Sequence, residues 1–245
     1  MMLEVNELYS SLIYAENNGF LRDLERIYLD MPDKECRDCA LCCQNPPAAS
    51  LLEYLNVYRY IRDKLPERQE TILRGAAEFF FLELADPELK CPFRAAEGCL
   101  IAPVRPFGCR LFGLLSEEDY AKREQERVRH VNALADFLQA EYGIRLPEAV
   151  LQSRPYCGRN RNGGREITAD ELTDLEMRLL ALDTSIVVPE RVFRGGTLAP
   201  LPVHLAMTVL NAGVRGKRLE VVRQFLSGSR ELLEKYAGRA VGYRF

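Results

Sequence analysis

The chain has 245 residues, 47% hydrophobic and 28% charged, the balance of a folded protein with a substantial core, either one large domain or a domain with an appended lobe. A net charge of −3 removes any general case for nucleic acid or an acidic membrane as partner. With two histidines and no tryptophan, histidine-rich metal sites and most histidine-dependent triads are excluded too.

Residues 1–9 lack the basic start and apolar run of a secretory signal. No uncharged apolar stretch approaches the roughly 20 residues that cross a bilayer, and Phe79-Phe80-Phe81-Leu82 is bracketed by Glu78 and Glu83. The expectation is a cytoplasmic protein with no membrane partner. In a reducing compartment, grouped cysteines read as metal ligands or redox groups rather than disulfides.

In chain order, residues 3 to about 30 read as two helices parted at Asn17-Asn18-Gly19, with Leu8, Leu12, Leu21, Leu24 and Ile27 inward. Pro32 closes the second. After the cysteine run, Ser50 with Glu53 three residues on forms a capping box. It opens a helix to about Lys64 that turns Leu52, Leu55, Tyr58 and Ile61 inward. Pro66 separates this from a helix over about 67–85.

Residues 88–115 carry too many prolines and glycines for long regular elements, so they predict a folded loop with a short hairpin. A charged helix is expected from Ser116 or Glu117 to Tyr142, with Val128, Val131, Leu134 and Leu138 as its apolar stripe. A second irregular region follows around Arg154–Arg165, and Thr168 with Glu171 caps a helix to about Leu182. Past a loop with Pro189, Gly195, Gly196, Pro200 and Pro202, two helices close the chain. The last is expected over Arg218–Tyr236, with Val222, Phe225, Leu226 and Leu233 inward. The fold class is therefore mainly α, with an irregular, metal-stapled cysteine-rich loop core and little or no sheet. The expected division is a cysteine-cluster domain over 1–165 and a helical lobe over 166–245 packed on it.

The chemistry concentrates in Cys36, Cys39, Cys42, Cys43, Cys91, Cys99, Cys109 and Cys157. Four of these fall within eight residues, more sulfur than a core needs. Coiled, the run puts Cys36, Cys39 and Cys43 on one face. As a loop of turns, Cys36, Cys39 and Cys42 have the Cys-x2-Cys-x2-Cys spacing that wraps an iron–sulfur cubane, with Cys91-Pro92 as a distant fourth ligand. Adjacent Cys42 and Cys43 are an awkward pair for one tetrahedral zinc, since neighbouring side chains diverge. Eight thiolates suffice for two four-sulfur sites.

Cys36-x2-Cys39-x2-Cys42-Cys43, then Cys91-Pro92-Phe93, Cys99-x-Ile101 and Arg105-Pro106-x2-Cys109-Arg110-x-Phe112, resemble the CxxCxxCC (YkgJ-type) cysteine-cluster family. That family is described as a zinc- or iron-chelating domain, and the resemblance covers about residues 34–113. It implies metal binding; some relatives are described as iron–sulfur proteins, and a flagellin lysine N-methylase is similar in its cysteine cluster. Ala102 stands where the family usually has tyrosine, so no phenol role carries over. Neither a glycine-rich strand–turn–helix nor the Cys-x3-Cys-x2-Cys triplet of radical S-adenosylmethionine enzymes is present, so methylation is only weakly implied. Cys157 lies outside the motif, but Arg154-Pro155-Tyr156-Cys157 echoes Arg105-Pro106-Phe107-Gly108-Cys109 and makes it a candidate eighth ligand.

Arg105 and Arg110 flank Cys109 and are candidates to offset thiolate charge, or else to bond loop carbonyls. Arg154, Arg159, Arg161 and Arg165 read as a solvated basic loop, or as a grip on phosphate or an acidic partner. His130 reads as a surface residue and His204 as a structural one, and Gly163-Gly164 follows no strand and so makes a poor phosphate loop. The expected function is metal binding, with a 4Fe–4S cluster favoured over zinc. The cluster would serve a redox or modification enzyme acting on an unknown protein or small molecule. The alternative is a structural zinc module without catalysis.

Overall fold

The computed structural model describes residues 5–32, 41–44, 46–157, 165–187 and 198–245. Helix α1 (Val5–Asn17) and α2 (Phe20–Leu29) part at Gly19, whose left-handed φ of 75° L-residues adopt with difficulty. A short α3 (Leu41–Gln44) precedes strand β1 (Ala48–Ala49). Then comes α4 (Leu51–Lys64), opened by the expected capping box: the Ser50 hydroxyl accepts from the Glu53 N–H, and the Glu53 carboxylate accepts from the Ser50 N–H. After a 3-10 turn at Pro66–Arg68, α5 (Gln69–Leu82) buries Ile72, Ala76 and three successive phenylalanines.

The 88–115 region holds the expected hairpin, β2 (Arg94–Ala95) against β3 (Gly98–Cys99), with Arg94 opposite Cys99. It also holds a one-turn helix, α6 (Phe107–Leu111), that the sequence did not signal. Helix α7 (Glu117–Tyr142) runs from the Ser116 cap to Gly143 in the left-handed conformation, followed by α8 (Glu148–Leu151) and α9 (Ala169–Thr184). Strand β4 (Ala199–Pro200) pairs antiparallel with β1, and α10 (Leu201–Val209), α11 (Ala212–Arg215), α12 (Arg218–Leu226) and α13 (Glu231–Ala240) complete the described chain.

The fold is mainly α, with two short two-stranded pairs. Helix α5 is the central pillar: α10, α12 and α13 pack on it, while α4 packs on α1, α2, α9 and α10. One hydrophobic cluster runs from Leu8 to Ala240, so the C-terminal helices share the core that supports the cysteine loops. Each fully buried phenylalanine there contributes roughly 1.5–3 kcal/mol. No helix among the described residues is long and apolar enough to cross a membrane.

Two expectations are corrected. The α7 stripe buries only Leu138; Val128 and Val131 are half-buried and Leu134 is 38% exposed. Among the described elements the helix meets α8 and buries Glu124 against loop groups, and no long helix among the described residues covers its apolar face. The expected helix over Arg218–Tyr236 breaks at Ser227-Gly228-Ser229, where Gly228 takes a φ of 91°. That break turns Leu226 outward, while Val222 and Leu233 remain inside.

Candidate metal centre

Cys42 and Cys43 lie on α3, Cys91 just before the hairpin, Cys99 on β3 and Cys109 in α6. All five line one cavity, closed by Pro46, Pro47, Phe93, Ile101 and Leu201. Backbone bonds hold the pieces together. The Cys91 N–H donates to the Cys43 carbonyl at 2.7 Å, and the Leu100 N–H donates to the Phe93 carbonyl at 2.8 Å.

Two glycines allow the close approach of these loops. A Cβ on Gly75 of α5 would stand 2.8 Å from Pro92 Cβ, and one on Gly108 of α6 would stand 2.8 Å from Pro47 Cβ. The Gly108 in Arg105-Pro106-Phe107-Gly108-Cys109 is thus a packing requirement: a side chain there would push α6, and Cys109 with it, off the 46–48 segment.

The start of α6 is held from below by Glu53, which is 2% exposed. Its Oε1 accepts from the Tyr28 hydroxyl at 2.8 Å and from the Phe107 N–H, and its Oε2 accepts from the Ser50 N–H. Burial raises its carboxyl above the usual range and the donors pull the other way. A residue legible only as a helix cap therefore joins α2, α4 and α6 beneath the thiols. The capping box signalled the Ser50 bond; nothing local signalled the other two.

The thiols feel one another. Burial pushes Cys91 up to about 12, with Cys99 and Cys42 adding to the rise. Cys109 is raised well above its ordinary value by burial, then by Cys91 and Cys42, against the opposing charge of Arg105. Cys43 is raised by its hydrogen bond with Cys42, then by burial, Cys91 and Cys99. Several thiolates cannot share this space without a cation to neutralise them, a charge that a coordinated metal would supply. The donor set, soft sulfur from four stretches of chain, suits zinc or iron–sulfur. Among the described residues, no three His, Cys, Asp or Glu side chains are converged to hold an ion as they stand. The described thiols line a cavity of about 30 Å³.

The two arginines divide. Arg105 lines the thiol cavity. Arg110 turns away: Nε donates to the Arg105 carbonyl at 2.8 Å and Nη2 to the Pro103 carbonyl at 2.9 Å, and its guanidinium lies 4.3 Å from the Tyr28 ring centroid. Arg94, not singled out from sequence, also lines the cavity. Cys157 is buried within electrostatic reach of Tyr120 and is not among the residues lining the thiol cavity. Cys36 and Cys39 lie outside the described residues, as do Arg159, Arg161, Gly163, Gly164, Pro189, Gly195 and Gly196. Arg165 is exposed and grips Glu171 through both carboxylate oxygens at 2.7 Å.

His130 is exposed on α7. His204 is fully buried, stacked on Tyr54 with ring centroids 5.0 Å apart, and its Nε2 lies 3.0 Å from the Ala49 carbonyl. Burial lowers its pKa to about 4. The unfolded chain takes up a proton at the ordinary 6.5 while the folded one does not, so this stability is complete above 6.5 and is lost as pH falls towards 4. The expected loss at pH 4 is about 3 kcal/mol. Urea unfolding of metal-stripped protein between pH 7.5 and 4 should show it, and His204→Gln should flatten that slope; an unchanged slope would refute the assignment.

No family model, no curated protein and no solved structure matches this chain.

Proposed function

We propose that this chain is a thiolate-ligated metal protein of the CxxCxxCC type, with an iron–sulfur cluster, 4Fe–4S, as its cofactor. One observation carries the reading: Cys42, Cys43, Cys91, Cys99 and Cys109 come from four separate stretches and line a single cavity. Cys36 and Cys39 stand within the same motif and enlarge the donor set. When bound, such a cluster supplies an electron or a Lewis-acidic iron. The chain's own residues supply the sulfur ligands, the opposing charge of Arg105, and an apolar wall of Phe93, Ile101 and Leu201 that limits water. That arrangement suits a redox or modification enzyme acting on a protein or small molecule.

A second reading, a single structural zinc, is favoured by the small volume of the cavity. Purification without oxygen, followed by metal analysis and an absorbance spectrum, separates the two. The iron–sulfur reading expects a brown protein with visible charge-transfer bands and acid-labile sulfide. A colourless protein carrying stoichiometric zinc would replace it with the second reading, and a protein that binds neither would end both.

A further inference from the structure

A second cavity, of about 210 Å³, adjoins the thiol cavity: Pro47 lines both, and α6 gives Cys109 to one and Gly108 and Leu111 to the other. Its floor is apolar, with Leu111, Phe112 and Leu115, and its wall carries three guanidiniums, Arg123, Arg127 and Arg154, beside the Glu124 carboxylate and the Tyr120 ring.

The charges there do not cancel. Arg123 pairs with Glu176 at 3.0 Å. Arg127 sends Nε and Nη2 to Glu124 Oε1 at 2.8 and 2.6 Å, and Nη2 also donates to the Gln152 carbonyl at 2.7 Å. The same Glu124 oxygen accepts the Arg154 N–H at 2.8 Å. The Arg154 side chain makes no ion pair among the described residues, and three cations face two carboxylates. Arg127 Nη1 is buried with no acceptor among the described residues, a costly state for a guanidinium N–H. Burial, then the neighbouring Arg127, lower the Arg154 pKa to about 10, against an opposing pull from Glu124 and Tyr120.

We propose that this cavity binds a small organic carboxylate, its charge gripped by Arg154 and Arg127 and its short apolar body laid on Leu111, Phe112 and Leu115. Guanidiniums present paired N–H donors that match a carboxylate. The surplus of one positive charge suits a monoanion, and the apolar floor has no use for inorganic phosphate. The site stands independently of which metal, if any, the thiols hold.

The test uses the full chain as purified, with benzoate, the isosteric neutral benzamide and inorganic phosphate as probes in calorimetry and thermal denaturation. Benzoate should bind and raise the melting temperature, and benzamide should do neither. Arg154→Gln should weaken benzoate roughly tenfold or more, the loss expected for a charge-assisted bond. Circular dichroism checks its fold. Should that variant fail to fold, Arg154→Lys, which keeps the charge and loses the fork, should still bind benzoate more weakly than the parent. Benzamide binding as well as benzoate, phosphate binding more tightly than benzoate, or Arg154 variants binding benzoate unchanged would each overturn the proposal.

Discussion

Cys109→Ser is expected to release the metal and to lower stability by roughly 3–4 kcal/mol, the size of the linkage when free metal is about 100–1,000 times its dissociation constant. Cys109 is the natural choice because its thiol interacts with Cys91, Cys42 and Cys99 together, and no other described thiol on α6 can replace it. Far-UV circular dichroism should remain helical, since the cluster built on α4 and α5 buries its side chains without using any thiol as its centre. The decisive measurement is denaturant unfolding of parent and variant, each with and without metal. Stripped of metal, the two should differ only by the cost of a buried hydroxyl, about 1 kcal/mol; the larger gap should open only when metal is present. A variant equally destabilised in both states would make Cys109 a packing residue and remove it from the ligand set.

Glu53→Ala is expected to cost about 3–5 kcal/mol, because it leaves the Ser50 N–H, the Phe107 N–H and the Tyr28 hydroxyl buried without their acceptor. The helix cap alone would account for about 1 kcal/mol. Tyr28→Phe, which removes one donor along with its hydroxyl, should cost only about 1 kcal/mol. Both can be read from urea midpoints at pH 7. The effect should reach the thiols as well: with Phe107 untethered, α6 loses its anchor, and Glu53→Ala should retain less metal than Tyr28→Phe. Full metal retention in Glu53→Ala would show that α6 is held by other contacts. The raised carboxyl pKa adds a pH signature. The stability tied to its proton is present below the ordinary carboxylate pKa and is lost as pH rises through the folded value, a dependence that Glu53→Gln should remove.

Some elements were legible because their causes are local. The Ser50–Glu53 and Thr168–Glu171 boxes satisfy helix N–H groups within one turn, so four residues announce them. Gly19 and Gly143 end helices through a backbone conformation that a side chain resists. The cysteine spacing and the prolines around it announced a loop rich in candidate ligands, and the hairpin at Arg94–Cys99 follows from Gly98 between short apolar steps.

Other features depend on partners distant in the chain. Periodicity named a stripe on α7, but burial requires a facing element, and only Leu138 found one. Arg105 and Arg110 flank Cys109 alike in sequence, yet one turn of helix sends one to the cavity and the other to Tyr28. Arg154 echoed a cysteine motif, yet it stands with Arg123 and Arg127 from α7.

The sequence by itself determined the helical class, the caps, the breaks at Gly and Pro, and the grouping of the cysteines, since each depends on residues within a turn or two. Only the tertiary structure decided that five of those sulfurs share one cavity, whose lining does not include Cys157. It alone placed Glu53 of α4 beneath α6. The reason is geometric: which loops converge depends on how α4 and α5 pack and on whether Gly75 and Gly108 let backbones touch, and that approach is a property of surfaces far apart in the chain.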